Sequence, residues 1–346
     1  MSLPNPHNYT APPECFSLNF DIRKACRLAC TLETCSLGLS YWAYIPSLAA
    51  NGLFTALFAF SLLLFVVQAF TSRRFVGFSI AMICGSILEV IGYIGRIMSH
   101  SNPFSENGFL IQIVCLTIAP AFYAAGLYFC LSRIVTTFGE DNSHIPAKMY
   151  PRIFIPCDVF SLVLQAAGGG LASAETHAGR NATTGNNIMI AGLSFQVFTL
   201  LLFILLSLDF AIKTFRRVHS LGREGALDPK HAKLRASKLF QGFLVALTFA
   251  TLCIFTRSVY RVAELSDGWK GRLISTQSYF IGLEGSIVAA GVLALNLFHP
   301  GYCFREGYER RAGMFSRKTA TEEGAVQDEK KSTSSEQAVQ SAESAN

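Results

Sequence analysis

Residues 44–70 read YIPSLAANGLFTALFAFSLLLFVVQAF, with no Asp, Glu, Lys or Arg among them. A bilayer hydrocarbon core about 30 Å thick is crossed by roughly 20 predominantly apolar helical residues. An open strand at that depth leaves its backbone groups unpaired in lipid, so a run of this kind is a transmembrane helix. Six more follow, over about 75–98, 109–138, 153–174, 188–212, 239–263 and 276–298. The expected fold class is an all-α membrane protein, a seven transmembrane helix bundle. Hydrophobic residues make up 51% of the chain and charged residues 15%, well under the quarter usual in soluble domains. Three regions result: a polar, cysteine-bearing segment 1–43, a helical domain 44–300, and a tail 301–346. The end of that tail, rich in Ser, Glu, Lys, Ala and Gln, has the composition of disorder.

Lysine and arginine bias sets the expected orientation. One set of connections holds Arg73 and Arg74, then Lys148 and Arg152, then eight basic residues in 213–238, and the tail adds Arg305, Arg310, Arg311, Arg317 and Lys318. The opposite set holds none in 99–108, Arg180 in 175–187, and Lys270 with Arg272 in 264–275. The first set is therefore expected in the cytosol, with the N-terminus outside and the C-terminus inside. Arg23, Lys24 and Arg27 run against this, but they lie at the edge of the window in which the rule acts. The net charge of +6 is concentrated in these loops, so it orients the protein and no nucleic-acid partner is expected. The start of the chain lacks a charged region followed by a short apolar core, and span one is expected to act as its own membrane signal.

Two glycosylation sequons, at Asn8 and Asn181, fall on the predicted outer side. So do Cys15, Cys26, Cys30 and Cys35. Four cysteines in a short outer segment read as two disulfides, with three possible pairings. Zinc is the rival, less favoured because no histidine lies among them. Cys303, just past span seven, is a candidate for acylation.

Ionisable groups at bilayer depth cost roughly 2.5–3.5 kcal/mol each on insertion scales, and they persist where they pair or line a wet interior. Glu89, Tyr93 and Arg96 share one face of span two. Asp158, Ser161 and Gln165 do so on span four, where Gly168, Gly169 and Gly170 allow close helix contact or local unwinding. Arg257, Arg261 and Glu264 form a third stripe on span six, and Glu284 lies within span seven. Span three contributes Tyr123, Tyr128 and Pro120, whose ring frees a backbone carbonyl and bends the helix. A polar cavity collecting these stripes is the favoured account, with static ion pairs as its rival. Snorkelling to the headgroups is a further account of Arg96, Arg257, Arg261 and Glu264. Asp209, at the end of span five, is expected at the interface. All seven histidines are expected outside the spans, which argues against a membrane-embedded zinc hydrolase. No phosphate loop, H-E-x-x-H or G-x-S-x-G occurs. No enzyme activity, cofactor or metal is expected.

Several stretches resemble one family. These are Glu89–Arg96 (EVIGYIGR), Ala119–Ala121 with Tyr123 and Tyr128, Asp158–Gly169 (DVFSLVLQAAGG), Arg257–Glu264 (RSVYRVAE), Tyr279–Gly285 (YFIGLEG) and His299–Gly301. Over about residues 41–305 the chain is similar to the fungal lipid-translocating exporters, the RTA-like proteins. It departs from many members at Gln277, where an acidic residue is common near the start of span seven. The resemblance implies a fungal multi-pass protein, most often of the plasma membrane. It also implies a translocator or exporter of amphiphilic lipids, sphingoid long-chain bases above all, that contributes to resistance to toxic amphiphiles. Membrane lipids or amphiphilic small molecules are then the expected partners. Physically, a cationic amphiphile needs an acidic path for its ammonium head, and Glu89, Asp158 and Glu284 are suited to supply one. A seven-helix receptor or sensor that regulates lipid asymmetry indirectly is the alternative. Against it, 175–187 has no cysteine, span three exits as Leu131-Ser132-Arg133, and span seven lacks N-P-x-x-Y.

Overall fold

A computed structural model describes Ile22, Cys30, Leu32, Cys35, Leu37 and residues 40–42, 44–73, 75–178, 180–227, 231–268 and 271–304. Seven helices are long and apolar enough to cross a membrane: α1 (Leu48–Ser72), α2 (Val76–Ser101), α3 (Glu106–Phe138), α4 (Met149–Thr176), α5 (Thr183–Gly222), α6 (Lys238–Ser266) and α7 (Gln277–Cys303). No strand occurs among the described residues. The protein is a multi-pass helical membrane bundle. Its two ends are called upper (where α1, α3, α5 and α7 begin) and lower.

The aromatic-rich core gathers Phe54, Phe58 and Phe65 of α1, Phe78 and Tyr93 of α2, Tyr123 and Tyr128 of α3, and Phe240 and Phe243 of α6. Large apolar side chains also face outward, such as Leu63, Phe70, Phe160 and Val245. A soluble protein rarely leaves so many exposed, and in lipid they are solvated. Where lipid removes the hydrophobic drive between helices, small residues bring backbones together. α4 and α5 meet this way. A Cβ on Gly168 would stand 2.4 Å from the Met189 nitrogen, and one on Gly185 would stand 2.2 Å from the Ala172 nitrogen. α4 is unbroken through Gly168–Gly170, so the glycines serve close contact rather than unwinding. Of the three, Gly168 makes the tight contact, since a Cβ on Gly169 would reach no nearer than 4.0 Å, at the Met189 sulfur, and one on Gly170 would meet nothing within 4 Å.

Three boundaries differ from expectation in ways that matter. α1 starts at Leu48, and Tyr44–Ser47 lie outside it, with the Ser47 hydroxyl accepting from the Ala50 N–H as the helix cap. α5 does not end at 212. Helix persists to Ala226, across a break at Gly222 (φ 73°), where Lys213, Arg216 and Arg217 are good helix formers free to leave the bilayer. The first half of the expected loop 213–238 is therefore helical, and a short helix at Ala232–Ala236 lies in its second half. His100, His219 and His299, expected outside the spans, lie within the ranges of α2, α5 and α7, and His299, an extended residue between Leu297 and Pro300, is fully buried. It caps the final turn, Pro300–Cys303, where its Nδ1 accepts from the Gly301 N–H at 3.1 Å. Cys303 is only 5% exposed, so its thiol offers no surface for acylation.

The described part of the N-terminal segment folds over the upper end. A Cys30–Cys35 disulfide packs on Phe104 of the α2–α3 connection. Asn8, Cys15 and Cys26 lie outside the described residues, as does the tail beyond Phe304. Trp42 meets Phe109 edge-on at 5.1 Å, and His100 Nδ1 lies 2.7 Å from the Pro46 carbonyl.

Candidate functional site

The polar residues read from the sequence separate into two clusters. The upper one begins with Pro120. A proline has no N–H, so the Leu116 carbonyl one turn earlier loses its helical donor. Arg257 of α6 donates to that oxygen, and its Nη2 also reaches Glu284 Oε1 of α7 at 2.6 Å. Arg261 Nη1 pairs with Glu264 Oε2 at 2.5 Å, Arg261 Nη2 donates to Thr117 Oγ1 at 3.2 Å, and Arg261 Nε stands 3.9 Å from Glu284 Oε2. The Tyr260 hydroxyl also donates to Glu264, at 3.3 Å. These contacts tie α3, α6 and α7 into one junction.

Glu284 sits in a π-helical stretch, Phe280–Ser286. Such wide turns recur at functional sites because they shift side chains out of α-helical register. Here Gly285 lets Phe54 of α1 approach, since a Cβ there would lie 2.5 Å from its ring. The same stretch places the Phe280 ring 3.7 Å below the Arg96 guanidinium. Arg96 is fully buried and held by Asn51 Oδ1 at 3.0 Å, Gln112 Oε1 at 3.1 Å and the Tyr44 hydroxyl at 2.9 Å, with Trp42 on its other side at 4.8 Å.

Glu89 completes this cluster. Its charged neighbours are Arg257, Glu284 and Arg261, and its Oε1 is buried with no hydrogen-bond partner among the described residues. Tyr93 stacks on Phe58 at 5.6 Å with its hydroxyl likewise unpartnered. Tyr123 is buried, its hydroxyl 3.4 Å from Ser86 Oγ. Three carboxylates (Glu89, Glu264, Glu284) and three guanidiniums (Arg96, Arg257, Arg261) are thus buried, all at most 3% exposed, the acids beside Arg257 and Arg261 and Arg96 among neutral and aromatic groups. This corrects the snorkelling account. The three arginines and Glu264 turn into the bundle, because polar partners on neighbouring helices and aromatic faces stabilise them there.

The second cluster lies lower. Asp158 of α4 accepts from the Tyr128 hydroxyl of α3 at 2.9 Å and from Thr199 Oγ1 of α5 at 3.3 Å. Gln165 Nε2 donates to Ser161 Oγ at 2.8 Å and to Gln196 Oε1 at 3.1 Å. Along α3, Leu116 and Tyr128 are separated by about 18 Å at 1.5 Å per residue. The α4 stripe therefore does not join the stripes of α2 and α6. Asp209 is half exposed at the lower end, 3.2 Å from Lys213 and 3.4 Å from His144, which fits an interfacial place.

Sequence reading missed Asn51, Gln112, Gln196 and Thr199. The signal was present: polar side chains inside apolar runs, where each needs a partner. It also missed the roles of Trp42, Tyr44 and Phe280, because aromatic residues near a span end are common enough to pass as an interfacial belt. No group of three or more metal-ligating side chains occurs among the described residues.

Residues 82–307 match the family described as RTA1 like protein. The sphingoid long-chain base transporter RSB1 of Saccharomyces cerevisiae is 38% identical over 286 residues, covering 77% of this chain and 74% of its own. From the same organism, the protoporphyrin uptake protein 1 is 31% identical over 284 residues, 72% of this chain and 88% of its own. Protein RTA1 is 29% identical over 272 residues, 72% of this chain and 81% of its own. No solved structure matches. The resemblance seen in the spans thus extends over most of the helical domain, and the chain belongs to the RTA1-like protein family.

Proposed function

We propose that this protein translocates amphiphilic lipids, sphingoid long-chain bases or related cationic amphiphiles, across a fungal plasma membrane, and so contributes to resistance to them. One observation carries the reading: carboxylates are buried within the membrane bundle of a chain 38% identical to a relative named for long-chain base transport. A long-chain base is an ammonium and hydroxyl headgroup on an alkyl tail. Moving it requires acidic and hydrogen-bonding groups inside the bundle and lipid for the tail. Glu89, Asp158 and Glu284 are the acids available at depth, with Tyr93, Arg96, Tyr123, Tyr128, Ser161, Gln165, Arg257, Arg261 and Glu264 among their surroundings.

The upper end then faces outside, as the lysine and arginine bias favours. Asn181, exposed between α4 and α5, becomes a glycan acceptor, and the Cys30–Cys35 disulfide stands in an oxidising compartment. The tail 301–346 lies in the cytosol.

The test is the purified protein, alone in liposomes, with a fluorescent long-chain base. Movement between leaflets well above that in empty liposomes is expected. Movement indistinguishable from empty liposomes, under both an imposed pH gradient and none, would overturn the reading and favour a receptor or regulator. Topology is tested separately by the mobility shift that Asn181→Gln removes after glycosidase-sensitive expression in yeast.

A further inference from the structure

We propose that the cluster around Asp158, between α3, α4 and α5, is the subsite for the ammonium and hydroxyl groups of the long-chain base, and that the arginine-balanced upper junction is not. The inference rests on the function proposed above and assigns the headgroup to one of its acids.

The two clusters differ in charge balance. Glu284 faces Arg257 and Arg261, and Glu264 faces Arg261. Asp158 is just as buried, at 3% exposed, yet no salt bridge among the described residues includes it. Among the described residues its oxygens take bonds only from two neutral hydroxyls, those of Tyr128 and Thr199. A carboxylate in a poorly polarisable interior is costly unless a cation sits against it. Glu284 and Glu264 have theirs from the protein itself, and Glu89, which makes no salt bridge among the described residues, still has Arg257 and Arg261 as charged neighbours, whereas the lower acid is left for a ligand to complete.

The surroundings match the rest of the headgroup. Gln165, 5% exposed, spends its Nε2 on Ser161 and Gln196 and keeps Oε1 buried with no partner among the described residues. That is an acceptor for a hydroxyl proton, one turn above Ser161 and two above Asp158 on the same face. One turn below Asp158, the rings of Tyr128, Phe154 and Phe203 stand 4.7–5.6 Å apart. Aromatic faces of this kind stabilise an ammonium group.

The tail has a place as well. Val159 and Phe160, the residues directly after Asp158, are 52% and 55% exposed on the lipid face of α4. Phe198 and Leu202, flanking Thr199 on α5, are 58% and 42% exposed. A headgroup at Asp158 therefore lies within a side chain's length of lipid, as an amphiphile requires. At the upper junction Trp42 and Tyr44 lie over Arg96 instead.

The experiment measures equilibrium binding of a radiolabelled saturated long-chain base to the whole protein in nanodiscs, beside its N-acylated counterpart, which has the same hydroxyls and no ammonium. Wild type is expected to bind the base at least tenfold more tightly than the N-acyl compound. Asp158→Asn should lose that preference, and Asp158→Glu should keep part of it. Thr199→Val, which removes one neutral donor and leaves the carboxylate, should weaken binding severalfold and serves if Asp158→Asn fails to fold. Equal binding of both compounds by wild type overturns the proposal. So does unchanged base binding in folded Asp158→Asn, or in Thr199→Val. Binding that behaves as expected in a protein that moves no lipid would sink the translocator reading while leaving the subsite standing.

Discussion

The backbone oxygen of Leu116, deprived of a helical donor by Pro120, is held by the guanidinium of Arg257 from across the bundle. The same guanidinium grips Glu284 at 2.6 Å. A local defect in α3 thus becomes the socket into which α6 and α7 are fastened. The proline costs α3 one backbone bond, and a charged donor from another helix replaces it. Charge-assisted bonds are roughly twice as strong as neutral ones.

Removing Arg257 strands Glu284 Oε1 and the Leu116 carbonyl together. Arg257→Met should lower stability by about 3–5 kcal/mol, the range for breaking one side of a buried pair. The double variant Arg257→Met/Glu284→Met should recover part of that loss, because no unpaired charge remains. Thermal denaturation in detergent, followed by size-exclusion chromatography, reads both. A double variant less stable than Arg257→Met would mean that the pair contributes no such penalty.

Pro120→Ala should stabilise more in one background than in the other. In the wild type the Leu116 oxygen already has a donor in Arg257, so the new N–H adds a second bond to a satisfied acceptor. In Arg257→Met that oxygen has lost its donor, and the same change should stabilise by about 1 kcal/mol more than in the wild type. A thermal-stability cycle over the four proteins checks this, and an equal effect in both backgrounds would contradict it.

The α4–α5 contact should tolerate no side chain at Gly185. Its Cβ would meet the Ala172 backbone at 2.2 Å, and backbone cannot swing aside. Gly185→Val should destabilise by at least about 1–3 kcal/mol, the usual cost of overpacking. Gly170→Ala, with open space around it, should be neutral or stabilising by up to about 1 kcal/mol. The yield of folded monomer and its melting temperature distinguish the two.

The N-terminal segment should contribute to stability through Arg96. Trp42→Ala removes an aromatic face 4.8 Å from the guanidinium and the contact with Phe109. A loss of about 0.5–2 kcal/mol is expected for the cation contact alone, together with faster proteolysis before Leu48. Limited proteolysis and melting curves on the same preparation read it. Unchanged values in both would show that the segment rests on the bundle without holding it.

The sequence by itself determined the number of helices, their approximate ends and the identity of the charged residues at depth. Bilayer thickness imposes a length that can be counted along the chain, and a charge in an apolar run is visible without any neighbour. It misjudged α5 beyond residue 212, because hydropathy reports where lipid ends and not where helix ends. It left His100 and His219 outside the spans for the same reason, and His299 too, where the helix does end at Leu297 but packing still buries the ring. Only the tertiary structure decided who partners whom. Glu89, Asp158 and Glu284 look alike in sequence, each an acid in an apolar helix. Packing then set Glu284 between two arginines, Glu89 beside the same pair, and Asp158 among neutral hydroxyls. Charge balance belongs to the space between helices, and the side chains that fill it come from distant parts of the chain, as Thr117 and Arg261 do, 144 residues apart.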